Sequence, residues 1–200
     1  MTHALSLKFR AAWRRYRATA LGVVIALVGL AQGLSPAVIA KMRYERTAIA
    51  AGEWWRILSG QLVHLDATHL AMNLVALVLL WALYVTDARP REWLLIALGA
   101  FLGTGLGLWF LEPGVAWYVG LSGALHGLWA GGGMACRKRW PLESAVTLAL
   151  LVGKLILEAW QGPVSGLLGA SLPVVTAAHR YGALGGGAAA LALGVWRRPL

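Results

Sequence analysis

Residues 64–86, "HLDATHLAMNLVALVLLWALYVT", decide the fold. From Ala67 onward the stretch is apolar for about 20 residues, the length a helix needs to cross a hydrocarbon core of about 30 Å. His64, His69 and Asn73 crowd its head, where polar side chains are costly in a bilayer. Such a placement asks for partners at the same depth on other segments.

The rest of the chain supplies those segments. Further apolar runs fall at about 18–37, 92–111, 119–136, 142–160 and 173–196. Of 200 residues, 59% are hydrophobic and 13% charged, and the mean hydropathy is +0.66. Soluble domains carry about a quarter charged residues. The expectation is an all-α polytopic membrane protein of six spans in one domain, 1–200, with a basic arm at 1–17 and helices over 18–196. The stretch 38–63 is too polar to span but rich in Trp and Ile, and reads as an interfacial first outer loop with short amphipathic pieces.

The net charge of +10 raises the question of nucleic acid, and its placement answers it. Basic residues gather in the N-terminal arm, at Arg89 and Arg91, at Arg137–Arg139 and at Arg197 and Arg198. In a six-span chain all four regions face one side, which the positive-inside rule makes cytoplasmic, both termini included. Lys41, Arg43, Arg46 and Arg56 run against this bias in the first outer loop. The charge is a topology signal, the bilayer is the partner, and nucleic acid is not expected. Cys136 is the sole cysteine, so no intramolecular disulfide forms.

With this topology, segments two, four and six enter from the outer face. His69 and Asn73, then Ser122 in "VGLSGALHG", then His179 in "TAAHRYGALGG" fall within the first turns of those segments. At about 1.5 Å per residue they share a depth of about 5–12 Å. Small residues four apart (Gly123, Gly127 and Gly131; Ala178, Gly182, Gly186 and Ala190) let helices four and six approach closely. Singly, each polar residue has a plain explanation, such as a serine bonding its own backbone or a histidine bridging helices. Together they offer a nucleophile, a base and amide donors. Serine needs a neighbouring base, and the oxyanion formed on attack needs donors such as Asn73, His69 and the Ser122 N–H. Gly120 leaves room for a substrate backbone. No metal or cofactor is expected, because two histidines without a nearby carboxylate or thiolate make a poor site. Lys154 and Glu158, four apart in segment five, are expected to pair structurally.

Trp55-Arg56, His64, His69, Asn73, "GLSG" at 120–123 and "AHRYGALGG" at 178–186 together resemble the rhomboid intramembrane serine proteases, in order and spacing. The resemblance covers about 18–196. It implies a six-helix rhomboid-like bundle with Ser122 as nucleophile and His179 as base, and no third acidic member. His69 and Asn73 would line the oxyanion hole, Trp55 and Arg56 would anchor the first loop, and Gly182 and Gly186 would pack helix six on helix four. His64 would orient its neighbours or cap the helix. Many rhomboids carry a tyrosine where this chain has His126, which is expected to stack beneath His179 but sits where it could compete as base.

"GLSGALHG" and the short chain resemble the bacterial rhombosortases. That implies an inner-membrane enzyme whose substrates are membrane-anchored proteins with a C-terminal glycine-rich motif, a membrane helix and a basic tail. Two other functions stay open. One is an inactive rhomboid-like binder of membrane helices, which loss of Ser122 or His179 would have marked. The other is a small transporter, which polar groups gathered at one depth do not favour.

Overall fold

A computed structural model describes residues 19–163 and 174–195. The basic arm, most of the last outer connection and the C-terminal arginines lie outside the described residues. Nine α-helices are described: α1 Thr19–Gln32, α2 Pro36–Met42, α3 Arg46–Ala50, α4 Arg56–Ser59, α5 Ala67–Tyr84, α6 Pro90–Leu111, α7 Ser122–Ala135, α8 Pro141–Gln161 and α9 Thr176–Ala192. Two short strands, β1 Tyr44–Glu45 and β2 Trp117–Tyr118, form one antiparallel pair with Tyr44 opposite Tyr118.

Five of the six expected segments appear as helices displaced by a few residues; the first does not run to residue 37. α1 ends at Gln32 and α2 leaves at 114° to it. Pro36 opens α2 and holds Ser35 extended (φ −60°, ψ 150°), because the residue before a proline is disfavoured in the helical region. Among the described residues, α5 and α6 are long and apolar enough to cross a membrane, and α1 with α2 forms a third candidate only as one broken span. α7 and α9 have 14 and 17 residues, and α8 carries Glu143, Lys154 and Glu158.

The helix starts follow their sequences. Asp66 caps α5 by accepting the His69 N–H at 2.7 Å, the usual service of an aspartate at that position. Pro90 and Pro141 stand at the first positions of α6 and α8, where a missing N–H costs nothing.

The expected interfacial loop is folded. The Arg46 guanidinium donates to the carbonyls of Leu108 (2.6 Å), Glu112 (2.8 Å) and Val115 (3.1 Å), closing the C-terminal end of α6. Arg56 is buried and donates to Glu53 Oε2 (2.6 Å) and to the carbonyls of Ala40 (2.8 Å) and Arg43 (3.0 Å). Arg43 pairs with Glu45. These arginines satisfy backbone carbonyls and two carboxylates, Glu53 and Glu45, which accounts for basic residues in a loop where the charge bias argues against them. Arg56 thus ties the loop from inside, while Trp54 and Trp55 are exposed.

α9 lies against both α6 and α7, and its glycines set the distance. A methyl group on Gly182 would stand 1.9 Å from the Gly123 carbonyl oxygen, and one on Gly186 would stand 2.3 Å from that of Gly127. On the adjoining face, one on Gly185 would stand 2.1 Å from the Gly99 oxygen. Contact between backbones is what small residues at four-residue spacing permit. The outer surface carries exposed Leu83, Leu94, Phe110, Leu142, Trp160 and Leu184, a distribution suited to lipid.

Candidate active site

Ser122 is the first residue of α7, delivered by a shaped turn. Gly120 N–H donates to the Gly60 carbonyl (3.1 Å), and Tyr118 Oη–H donates to the Gly120 carbonyl (2.7 Å) while accepting the Gly123 N–H (3.3 Å). Gly120 has φ +112°, and a Cβ there would stand 2.6 Å from the His69 ring. The glycine is therefore required by its backbone and by the imidazole lying on it. The room it leaves is taken by His69.

Ser122 and His179, one turn into α9, come together. Ser122 Oγ lies 3.0 Å from His179 Nε2. The His126 ring stacks on the His179 ring, with centroids 4.1 Å apart and planes 13° from parallel. His126 Nδ1 donates to the Ser122 carbonyl at 2.7 Å. That nitrogen carries its proton, because a carbonyl can only accept. That nitrogen cannot act as a base, and the lone pair of the neutral ring is on Nε2, which is buried without a hydrogen-bond partner among the described residues.

His69 is half-buried beside Gly120 and packs edge-on to His64 with centroids 5.0 Å apart. His64 is buried, and its Nε2 accepts the Leu121 N–H at a long 3.5 Å. Burial, with His69 adding to it, pushes the His64 imidazole down to about 4, so the ring stays a neutral acceptor. His64 thus steadies both His69 and the turn before Ser122. Asn73 is buried, and its amide donates back to the His69 carbonyl at 2.9 Å. One amide hydrogen is thereby used within α5.

Nothing in the sequence signals Tyr118, since a two-residue strand carries no periodicity. Glu158 is half legible there. The Lys154–Glu158 pair is present, with Nζ 2.6 Å from Oε1. The other oxygen, Oε2, lies 2.8 Å from His179 Nδ1. The expectation of no third acidic member is therefore corrected: a buried carboxylate stands behind the histidine.

Glu158 also overturns the stated ground for expecting no metal, since His126, Glu158 and His179 gather their ligand atoms within 4.8 Å. The geometry supplies a better ground. An imidazole binds a metal in its own ring plane at about 2.0–2.1 Å, and two nearly parallel rings 4.1 Å apart have no such point in common. Glu158 is moreover already engaged by Lys154 and His179.

A cavity of about 370 Å³ opens beside this turn, between residues 114–119 and Val174 and Val175. Its wall includes β2 and ends at Val119, and Ser122 does not line it.

Comparison with known proteins points to one family. The family profile described as "Rhomboid domain" matches residues 51–196. A Bacillus subtilis (strain 168) protein named "Putative rhomboid protease YdcA" is 32% identical over 80 residues, a match covering 40% of this chain and 40% of that protein's length. The profile spans well over half of the chain and takes in Ser122, His126, Glu158 and His179. The chain belongs to the rhomboid family.

Proposed function

We propose that the protein is an intramembrane serine endopeptidase, with Ser122 as nucleophile and His179 as general base. The observation that carries this is the 3.0 Å approach of Ser122 Oγ to His179 Nε2, with the imidazole held on its face by His126. Membership of a family with a relative named as a rhomboid protease supports a rhomboid-type hydrolase of peptide bonds.

Ser122 Oγ adds to the scissile carbonyl while its proton passes to His179 Nε2. The oxyanion is taken by the Ser122 N–H, which has no partner within the helix at its first position, with His69 and Asn73 as further donors. Collapse of the intermediate transfers the proton from His179 to the leaving amine, and water then hydrolyses the acyl-enzyme by the same steps.

The short α7 supports a site below the membrane surface. Its 14 residues rise about 21 Å, against a hydrocarbon core of about 30 Å. Arg137 and Lys138 follow directly and belong at the cytoplasmic edge. Ser122 then falls about 10 Å inside the opposite face. In this reading α1, α5, α6, α7, α8 and α9 are the six membrane helices, both termini are cytoplasmic, and cleavage occurs near the outer face of a bacterial inner membrane.

Membrane-anchored proteins are the substrates. The finer reading is a rhombosortase acting on C-terminal glycine-rich tags followed by a membrane helix and a basic tail, supported by "GLSGALHG" and His126. The test is cleavage, in liposomes, of single-span substrates with and without such a tag. Tag-dependent cleavage by the wild type and none by Ser122→Ala is expected. Tag-independent cleavage would leave a general rhomboid, and cleavage by Ser122→Ala would remove the serine mechanism.

A further inference from the structure

We infer that Glu158 is a positioning residue for His179, fixing the tautomer and orientation in which Nε2 faces Ser122. The inference rests on the Ser122–His179 reading above. A carboxylate only accepts hydrogen bonds, so the 2.8 Å contact between Oε2 and His179 Nδ1 places a proton on Nδ1. The lone pair is left on Nε2, 3.0 Å from Ser122 Oγ. The same contact stabilises the imidazolium that forms when Nε2 takes the serine proton.

The helix carrying Glu158 is fixed at several points on one face. Ser144, Thr147, Leu151, Lys154 and Glu158 follow the three- and four-residue spacing of a single helical stripe. Ser144 donates to the Gly133 carbonyl at 2.5 Å. Thr147 Oγ1 accepts from Trp129 Nε1 of α7 at 2.7 Å and lies 2.6 Å from Tyr84 Oη of α5. Leu151 packs with Ala130 of α7 and Ala183 of α9. α8 is thereby held against the helices that carry Ser122 and His179, and the carboxylate is buried at its far end.

The competing explanation is that Glu158 only neutralises Lys154. The two differ in what happens when both charges go. Breaking a buried pair strands one charge, whereas replacing both members is often tolerated. Glu158→Gln, Lys154→Gln and the double variant, all full-length in detergent micelles, separate them. A positioning role predicts kcat about 10²- to 10⁴-fold lower in Glu158→Gln, with KM little changed. The double variant should be as impaired as Glu158→Gln, and Lys154→Gln close to wild type. Histidine-ring NMR should show a low-field Nδ1 proton, assigned by its loss in His179→Ala, that disappears in Glu158→Gln and in the double variant.

Wild-type kcat in Glu158→Gln, recovery in the double variant, or an unchanged His179 proton in either would overturn the inference. If Glu158→Gln does not fold, the double variant, which carries no stranded charge, decides by the same two readouts. A wild type that cleaves nothing but loses the proton in these variants would remove the peptidase reading and leave the positioning contact standing.

Discussion

His179→Ala abolishes cleavage whatever stands at position 126, whereas His126→Tyr keeps most of it. The difference follows from which nitrogen faces which oxygen. His179 Nε2 is the ring nitrogen that meets Ser122 Oγ, while His126 Nδ1 is bonded to the serine's backbone carbonyl. Removing a catalytic histidine costs about 10⁴-fold or more in turnover where a serine depends on it. His126 contributes a flat face at 4.1 Å, and such aromatic pairs are worth about 0.5–1.5 kcal/mol, or about two- to tenfold. Tyrosine restores that face, so His126→Ala should lose more than His126→Tyr. A cleavage assay in membranes at matched expression reads the order of the three variants. A dead His126→Tyr beside a cleaving His179→Ala would make His126 the base.

Gly182→Ala should disassemble the site without touching any reacting group. The added methyl would stand 1.9 Å from the Gly123 carbonyl oxygen; that oxygen is backbone and a Cβ is fixed by its own backbone, so neither can rotate away. Forcing extra volume into a packed interior costs about 1–3 kcal/mol and sometimes more, and here the helices carrying Ser122 and His179 must part to admit it. Gly187→Ala on the same helix is the control, because its methyl would meet only the Ala130 side chain at 3.7 Å. Thermal unfolding in detergent should show a lower Tm and lost activity for Gly182→Ala, with Gly187→Ala near wild type. Equal stability of the two variants would mean that α7 and α9 are not held backbone to backbone.

What the sequence makes legible is whatever repeats locally. The apolar run after Asn73, the proline-led starts of α6 and α8 and the glycines at four-residue spacing are periodic or punctuating signals, and each marks the element found there. The small-residue stripes also point to the meeting of α7 and α9 that brings Ser122 to His179. The break after Gln32 is less legible, because one proline in an apolar run can open a helix as readily as kink one. The pairing of Tyr44 with Tyr118 joins loops 74 positions apart through only two residues each, too few to leave a pattern. Glu158 shows the limit most plainly. A lysine four residues earlier satisfies one carboxylate oxygen within the helix, and nothing local reveals that the second oxygen faces another helix. An ionisable side chain in an apolar segment is a functional candidate on principle, and that was its one signal.

The most direct test of the catalytic pair is labelling of the full-length protein in membranes with a serine-directed fluorophosphonate, with the modified residue located by mass spectrometry. A label on Ser122 that is lost in both Ser122→Ala and His179→Ala is the predicted result. A label on another residue, or none in membranes that still cleave substrate, would contradict it.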